Sequence, residues 1–147
     1  MEKRRVVITG LGVISPLGND KAAFWDNLIK GNSGIAHIEH FDVSDYPTKI
    51  AAQVRDFNPL DYISRKDARR MDRFVQFACA AARQAIEDSE LKINEENAER
   101  IGVWIGTGIG GLETNEKQHE ILLAKGPSQI SPFLIPMMIS NMASGQV

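Results

Sequence analysis

The chain has 147 residues, 43% of them apolar and 24% charged, with a formal net charge of −2. That length supports one domain burying roughly two-thirds of its unfolded surface, and the near-neutral balance excludes whole-chain attraction to nucleic acid or to an anionic membrane. The single cysteine, Cys79, excludes an intramolecular disulfide framework and a multi-cysteine metal site, and suits a reducing cytoplasm.

At the amino terminus, Met1-Glu2-Lys3-Arg4-Arg5 leads into an apolar run too short for the core of a signal peptide, and no stretch has the length of a membrane span. Residues 6–11 are β-branched and non-alternating, which predicts a strand buried on both faces of a sheet. After Pro16-Leu17-Gly18, Asn19 or Asp20 caps a predicted helix carrying Ala23, Phe24, Leu28 and Ile29, and Gly31 and Gly34 stop it. The pattern weakens over 35–58, where 50–54 is the one predicted strand in a surface excursion.

The best helix is predicted over 65–89, with Met71, Phe74, Val75, Ala78, Ala82, Ala85 and Ile86 on one apolar stripe. A second buried strand is predicted at 101–105, followed by Gly106-Thr107-Gly108-Ile109-Gly110-Gly111 and a helix over 112–124. Helices following both strands point to an α/β layer architecture with a parallel sheet. Three prolines then stiffen the apolar stretch 127–136, and 137–147 begins another helix, leaving an apolar run that needs a covering surface.

Gly106, Gly108 and Gly111 satisfy the dinucleotide-binding pattern G-x-G-x-x-G, but no Asp or Glu follows Glu120 to take a ribose and prolines stand where the next strand belongs. Gly10-Leu11-Gly12 is weaker still, because Pro16 interrupts the turn that would present its amides. Both clusters read better as glycines that let backbones approach closely. Cys79 lies mid-helix, away from any helix N-terminus that would stabilise a thiolate, and reads as a core residue. His37 and His40 read as solvated loop residues rather than metal ligands, and His119 as an exposed helix residue. Arg65, Lys66, Arg69, Arg70 and Arg73, opposed only by Asp67 and Asp72, make a local charge of +3 in this acidic chain, with Arg65/Arg69 and Lys66/Arg70 as i,i+4 pairs on one helix end. Such a patch is either a solvated face or a dock for an acidic protein or a phosphate.

Together, the run Val7-Ile8-Thr9-Gly10-Leu11-Gly12-Val13-Ile14-Ser15-Pro16-Leu17-Gly18, the block Ser64-Arg65-Lys66 to Met71-Asp72, Gly106 to Gly111, and Ile130-Ser131-Pro132-Phe133 resemble, in order and spacing, the bacterial β-ketoacyl-acyl-carrier-protein synthase II family. The resemblance covers the whole chain. It implies the thiolase-like α/β fold, layered αβαβα in the full enzyme, with residues 1–147 as an amino-terminal part that covers most of the first half and stops short of the nucleophile. It implies a cytoplasmic homodimer that elongates fatty acids by decarboxylative Claisen condensation, with no cofactor, its substrates riding on the phosphopantetheine of acyl carrier protein. Neither nucleic acid nor membrane is an implied partner.

The family's catalytic cysteine falls shortly beyond Val147 and its two histidines further on, so the resemblance implies no catalytic residue in this chain. It assigns Arg65, Lys66, Arg69 and Arg70 to docking of the acidic carrier protein. Ile109 matches the residue that gates the acyl pocket, and Phe133, Leu134 and Met137 match residues that reach across the dimer to line the partner's acyl tunnel. Ile109 also favours the synthase II branch over synthase I. The competing expectations are a catalytically inactive fragment that only dimerises or binds carrier protein, and a nucleotide-binding oxidoreductase that would bind NAD(H) through residues 106–111.

Overall fold

The computed structural model describes residues 3–147; Met1 and Glu2, which open the stretch read as lacking a signal-peptide core, lie outside the described residues. The chain divides into two compact units, one made of the residues up to Asn58 with Gln84–Leu91, the other of Pro59–Arg83 with Lys92–Val147. No described helix is long and apolar enough to cross a membrane.

In the first unit, Asp20 caps helix α1 (Lys21–Ile29), its carboxylate accepting from the Ala23 N–H at 2.8 Å. Gly31 ends that helix at φ 69°, a left-handed conformation suited to glycine. Strand β1 (Ile35–His37) then pairs antiparallel with β2 (Ile50–Ala52), Ala36 opposite Ala51. This ribbon is shorter than the predicted strand at 50–54, and its first strand carries too few residues to show a periodicity. His37 therefore ends a strand instead of sitting in a loop, although it and His40 are exposed as expected.

The second unit holds most of the buried apolar side chains. The run predicted as one helix over 65–89 is two: α2 (Arg65–Ala68) and α3 (Arg73–Asp88), the last turns of which belong to the first unit. Each helix brings its own cap. Ser64 Oγ accepts from the Asp67 N–H at 3.2 Å, and Asp72 Oδ1 accepts from the Phe74 N–H at 3.3 Å. A side-chain acceptor that competes for the backbone in mid-run starts a new helix there. Arg69 and Arg70 consequently lie in the connecting turn, and the predicted i,i+4 stacking of like charges on one helix does not occur. Of the predicted stripe only Val75 is fully buried; Phe74, Ala78, Ala82, Ala85 and Ile86 are half-buried on α3, Met71 lies in the turn before it, and Ala80, which the stripe did not include, is sealed.

Helix α4 (Leu112–Lys125) follows the glycine-rich turn and ends at Gly126, φ 83°. The helix predicted from residue 137 starts earlier and breaks into α5 (Leu134–Met138) and α6 (Met142–Gln146). The break at Ile139, which is extended, frees the Met138 carbonyl to accept from the Gly111 N–H at 2.8 Å.

Both strands predicted as buried are absent. Residues 6–11 and 101–105 have no ladder partner among the described residues, the two-stranded β1–β2 sheet being the whole of the sheet there. Val6 is 91% and Trp104 98% exposed. A strand satisfies its N–H and C=O groups only through a neighbour, so apolarity alone cannot order it.

Candidate functional site

Arg65, Lys66, Arg69 and Arg70 are all exposed, and they are clustered by the short helix α2 and the turn after it. Ser64 holds the start of this corner, its hydroxyl also donating to Asp67 Oδ2 at 2.7 Å. Gln76 on α3 holds the other end, donating from Nε2 to the carbonyls of Ala68 at 2.9 Å and Met71 at 3.3 Å. The guanidinium of Arg70 lies 4.7 Å from the ring centre of Phe133, a cation–π distance. Two groups of residues that the sequence reading kept apart, one for docking and one for the acyl tunnel, thus meet in one contact. Asp67, Arg70, Met71, Phe133, Pro136 and Gln146 enclose a cavity of about 270 Å³ there.

Ile109 stands on the turn 107–110, where Thr107 Oγ1 accepts from the Gly110 N–H at 3.2 Å and Gly110 takes φ 85°. Its side chain is 70% exposed at the mouth of a cavity of about 360 Å³ formed with Leu112, Asn115, Met138 and Ile139. Phe133, Leu134 and Met137 are not in that lining. Ser131 organises the approach to α5, its hydroxyl accepting from the Phe133 N–H at 3.1 Å while its own N–H donates to Gln118 Oε1 at 2.7 Å.

Next to Ile109, the first turn of α4 has a glycine as its cap residue, Gly111, which offers no side-chain acceptor. The acceptor comes from 42 residues earlier: Asp72 Oδ2 takes the Thr114 N–H at 3.0 Å and the Thr114 hydroxyl at 2.6 Å. Asp72 and Thr114 are both buried. The sequence reading missed this pair and counted Asp72 only as an offset to the arginines. An Asp placed where an amphipathic run could restart was the available signal, but nothing in the sequence names its partner.

The remaining candidates sort clearly. Cys79 is half-buried on α3, and burial pushes its thiol pKa up, the opposite of what an activated nucleophile needs. His119 is exposed on α4. No described group of three His, Cys, Asp or Glu side chains is arranged to hold a metal ion. The dinucleotide reading loses donors in this geometry, because within 106–111 the Gly110 N–H is engaged by Thr107 Oγ1 and the Gly111 N–H by the Met138 carbonyl. Close approach explains Gly10, Gly110 and Gly111, where an added Cβ would strike neighbouring backbone, but not Gly106 or Gly108, which face open space.

Comparison with known proteins points to one family. Two 3-oxoacyl-[acyl-carrier-protein] synthase 2 sequences align along essentially the whole chain: that of Coxiella burnetii is 58% identical over 147 residues and that of Staphylococcus aureus (strain COL) 52% over 146. The chain covers 36% and 35% of those two relatives, so it spans about a third of their length. Among solved structures, the ishigamide ketosynthase/chain length factor superposes with a TM-score of 0.84 at 31% identity, over 99% of this chain and 36% of that one. Ketosynthase neighbours place the chain in the thiolase-like fold. The family description "Beta-ketoacyl synthase, N-terminal domain" matches residues 3–147, and the chain belongs to the β-ketoacyl synthase family.

Proposed function

We propose that this chain is the amino-terminal part of a 3-oxoacyl-acyl-carrier-protein synthase II, contributing the carrier dock, the acyl gate and much of a homodimer surface. The complete enzyme, acting in the cytoplasm, takes an acyl group from the phosphopantetheine of acyl carrier protein onto a cysteine thiolate. Malonyl-carrier protein then loses CO₂. The resulting carbanion attacks the acyl thioester, the thiolate leaves, and a β-ketoacyl-carrier protein two carbons longer is released. No cofactor enters that balance.

The observation that carries this reading is the exposed cluster of Arg65, Lys66, Arg69 and Arg70 on a corner tied to Phe133. An acidic carrier protein gains encounter rate and orientation from such a patch. In this reading Ile109, which lines a cavity of about 360 Å³, serves as the acyl gate, and Phe133, Leu134 and Met137 are assigned to the second subunit's acyl tunnel by the family resemblance.

The test is charge reversal in the full-length synthase, Arg65→Glu, Lys66→Glu and Arg69→Glu together, with kcat/KM measured against acyl carrier protein at low and high salt. Arg70 is left intact because it also supports Phe133. The expected loss is at least about tenfold at low salt and shrinks as salt screens the patch. Carrier-dependent turnover that survives the reversal would make the patch a solvated face. Equilibrium sedimentation of the same enzyme should give a dimer.

A further inference from the structure

The carboxylate of Asp72 closes two helices at once. Its Oδ1 accepts from the Phe74 N–H in the first turn of α3, and its Oδ2 accepts both donors of Thr114 in the first turn of α4. A helix start leaves its first N–H groups unsatisfied, and its own cap residue normally supplies the acceptor. In α4 the cap position cannot do so. A Cβ on Gly111 would lie 2.5 Å from the Met137 carbonyl oxygen and 3.0 Å from Asp72 Oδ2, so neither Ser nor Asp fits there. The cap has to come from elsewhere in the fold, and Asp72 provides it from a buried position.

What this cap holds is the base of the turn that carries Ile109. The Gly111 N–H donates to the Met138 carbonyl, and the Leu112 N–H to the Gly110 carbonyl at 3.1 Å, so the turn joins α4 through two residues without a Cβ. Glycines resist displacement less than any other residue. Rigidity at that junction therefore depends on the α4 start staying where Asp72 fixes it. We propose that Asp72 is a positioning residue for the acyl gate: by capping α4 through Thr114 it sets where Ile109 stands over its cavity, and so sets discrimination by acyl chain length. This rests on the synthase reading above.

The experiment uses the full-length synthase with Asp72→Asn, Thr114→Val and Thr114→Ser, and two readouts. Amide hydrogen exchange over residues 107–115 should quicken by about tenfold in Asp72→Asn, as expected when a buried charge-assisted hydrogen bond is lost. It should quicken in Thr114→Val and return to the parent rate in Thr114→Ser, which keeps the hydroxyl donor.

In parallel, the ratio of kcat/KM for long and short acyl-carrier substrates should move by at least about threefold in Asp72→Asn and less in Thr114→Val, while KM for the carrier stays within about twofold. A uniform fall in kcat across chain lengths, or unchanged exchange in the turn, overturns the proposal. Thr114→Val keeps the result readable if Asp72→Asn fails to fold. If the unmutated enzyme does not condense at all, the synthase reading fails instead, and hydrogen exchange alone decides whether Asp72 holds the turn.

Discussion

Residues 6–11 and the middle of α3 are both apolar stretches, yet they meet opposite fates. On α3, Val75 is 0% exposed and Ala80 is likewise sealed, whereas Val6 and Ile8 project into solvent. Hydrophobicity does not separate them; the backbone does. A helix satisfies its N–H and C=O groups within the segment, so it can form first and then find a surface for its apolar stripe. An extended segment has to find a neighbouring strand before its backbone is satisfied, and among the described residues neither 6–11 nor 101–105 has one. What the two regions teach is that an apolar run in an α/β sequence reports where burial is wanted, not where it is supplied.

The comparison breaks most visibly at its two extremes. Val75→Asp places an unpaired charge in a site with no solvent contact, and should destabilise the second unit by about 4 kcal/mol or more. Trp104→Ser in the same chain should change stability by less than about 0.5 kcal/mol, since that indole is 98% exposed. Urea denaturation of both variants measures the contrast. Repeating Trp104→Ser in the full-length synthase sharpens it, because a strand partner there would raise the cost to about 3 kcal/mol. An unchanged cost in that setting would show that residues 101–105 stay uncovered.

A smaller effect probes how the exposed segment is tethered. Although residues 6–11 form no strand, their carboxyl end is fastened to the last turns of α3: the Leu11 N–H donates to Asp88 Oδ2 and the Val13 N–H to Gln84 Oε1, each at 2.9 Å. Gly10 makes the approach possible, because a Cβ there would strike the Ala85 carbonyl and Ser89. Gly10→Ala should cost about 1–3 kcal/mol in thermal unfolding, the usual range for overpacking.

The smallest predicted effect concerns pH. The Lys21 ammonium and the Leu11 N–H hold the Asp88 carboxyl below its ordinary value. A folded value below the unfolded one means that the carboxylate contributes stability above about pH 4 and loses it as pH falls through the folded value. Asp88→Asn should therefore flatten the acid limb of the stability curve of the first unit, leaving neutral-pH stability slightly lower. The group is exposed, so the shift is small and fades with salt.

The legible parts of the fold are those whose signals are local. Asp20 and Gly31 mark the ends of α1, because caps and left-handed stops act within a few residues. The break between α2 and α3 was readable in principle from Ser64 and Asp72, but the strength of the apolar stripe masked it. The basic corner was legible as charge. Its stacking on Phe133 was not, since that pair is separated by 63 positions and set by tertiary packing. The family, and with it the roles proposed for Ile109, Phe133, Leu134 and Met137, came from four motifs in order rather than from any single pattern. The Asp72–Thr114 pair was out of reach for the same reason as the strands: its partner is chosen by the fold.

The glycine cap of α4 also constrains how sequences of this kind can diverge. Where a helix carries its own cap, Ser, Thr, Asp and Asn interchange freely and mutation at one position is repaired at that position. Here Gly111 has no room for any of them, and the acceptor for the Thr114 donors in the first turn of α4 lies on another segment. Replacement of Asp72 has no local repair. Positions 72, 111 and 114 should therefore drift as a unit, with a side-chain cap at 111 tolerated only in lineages that have reshaped the Met137–Met138 carbonyls and given up the acid at 72. Covariation of that trio across homologues, in the absence of any direct Gly111 side-chain contact, would be the evolutionary trace of a cap held in trust by a distant residue.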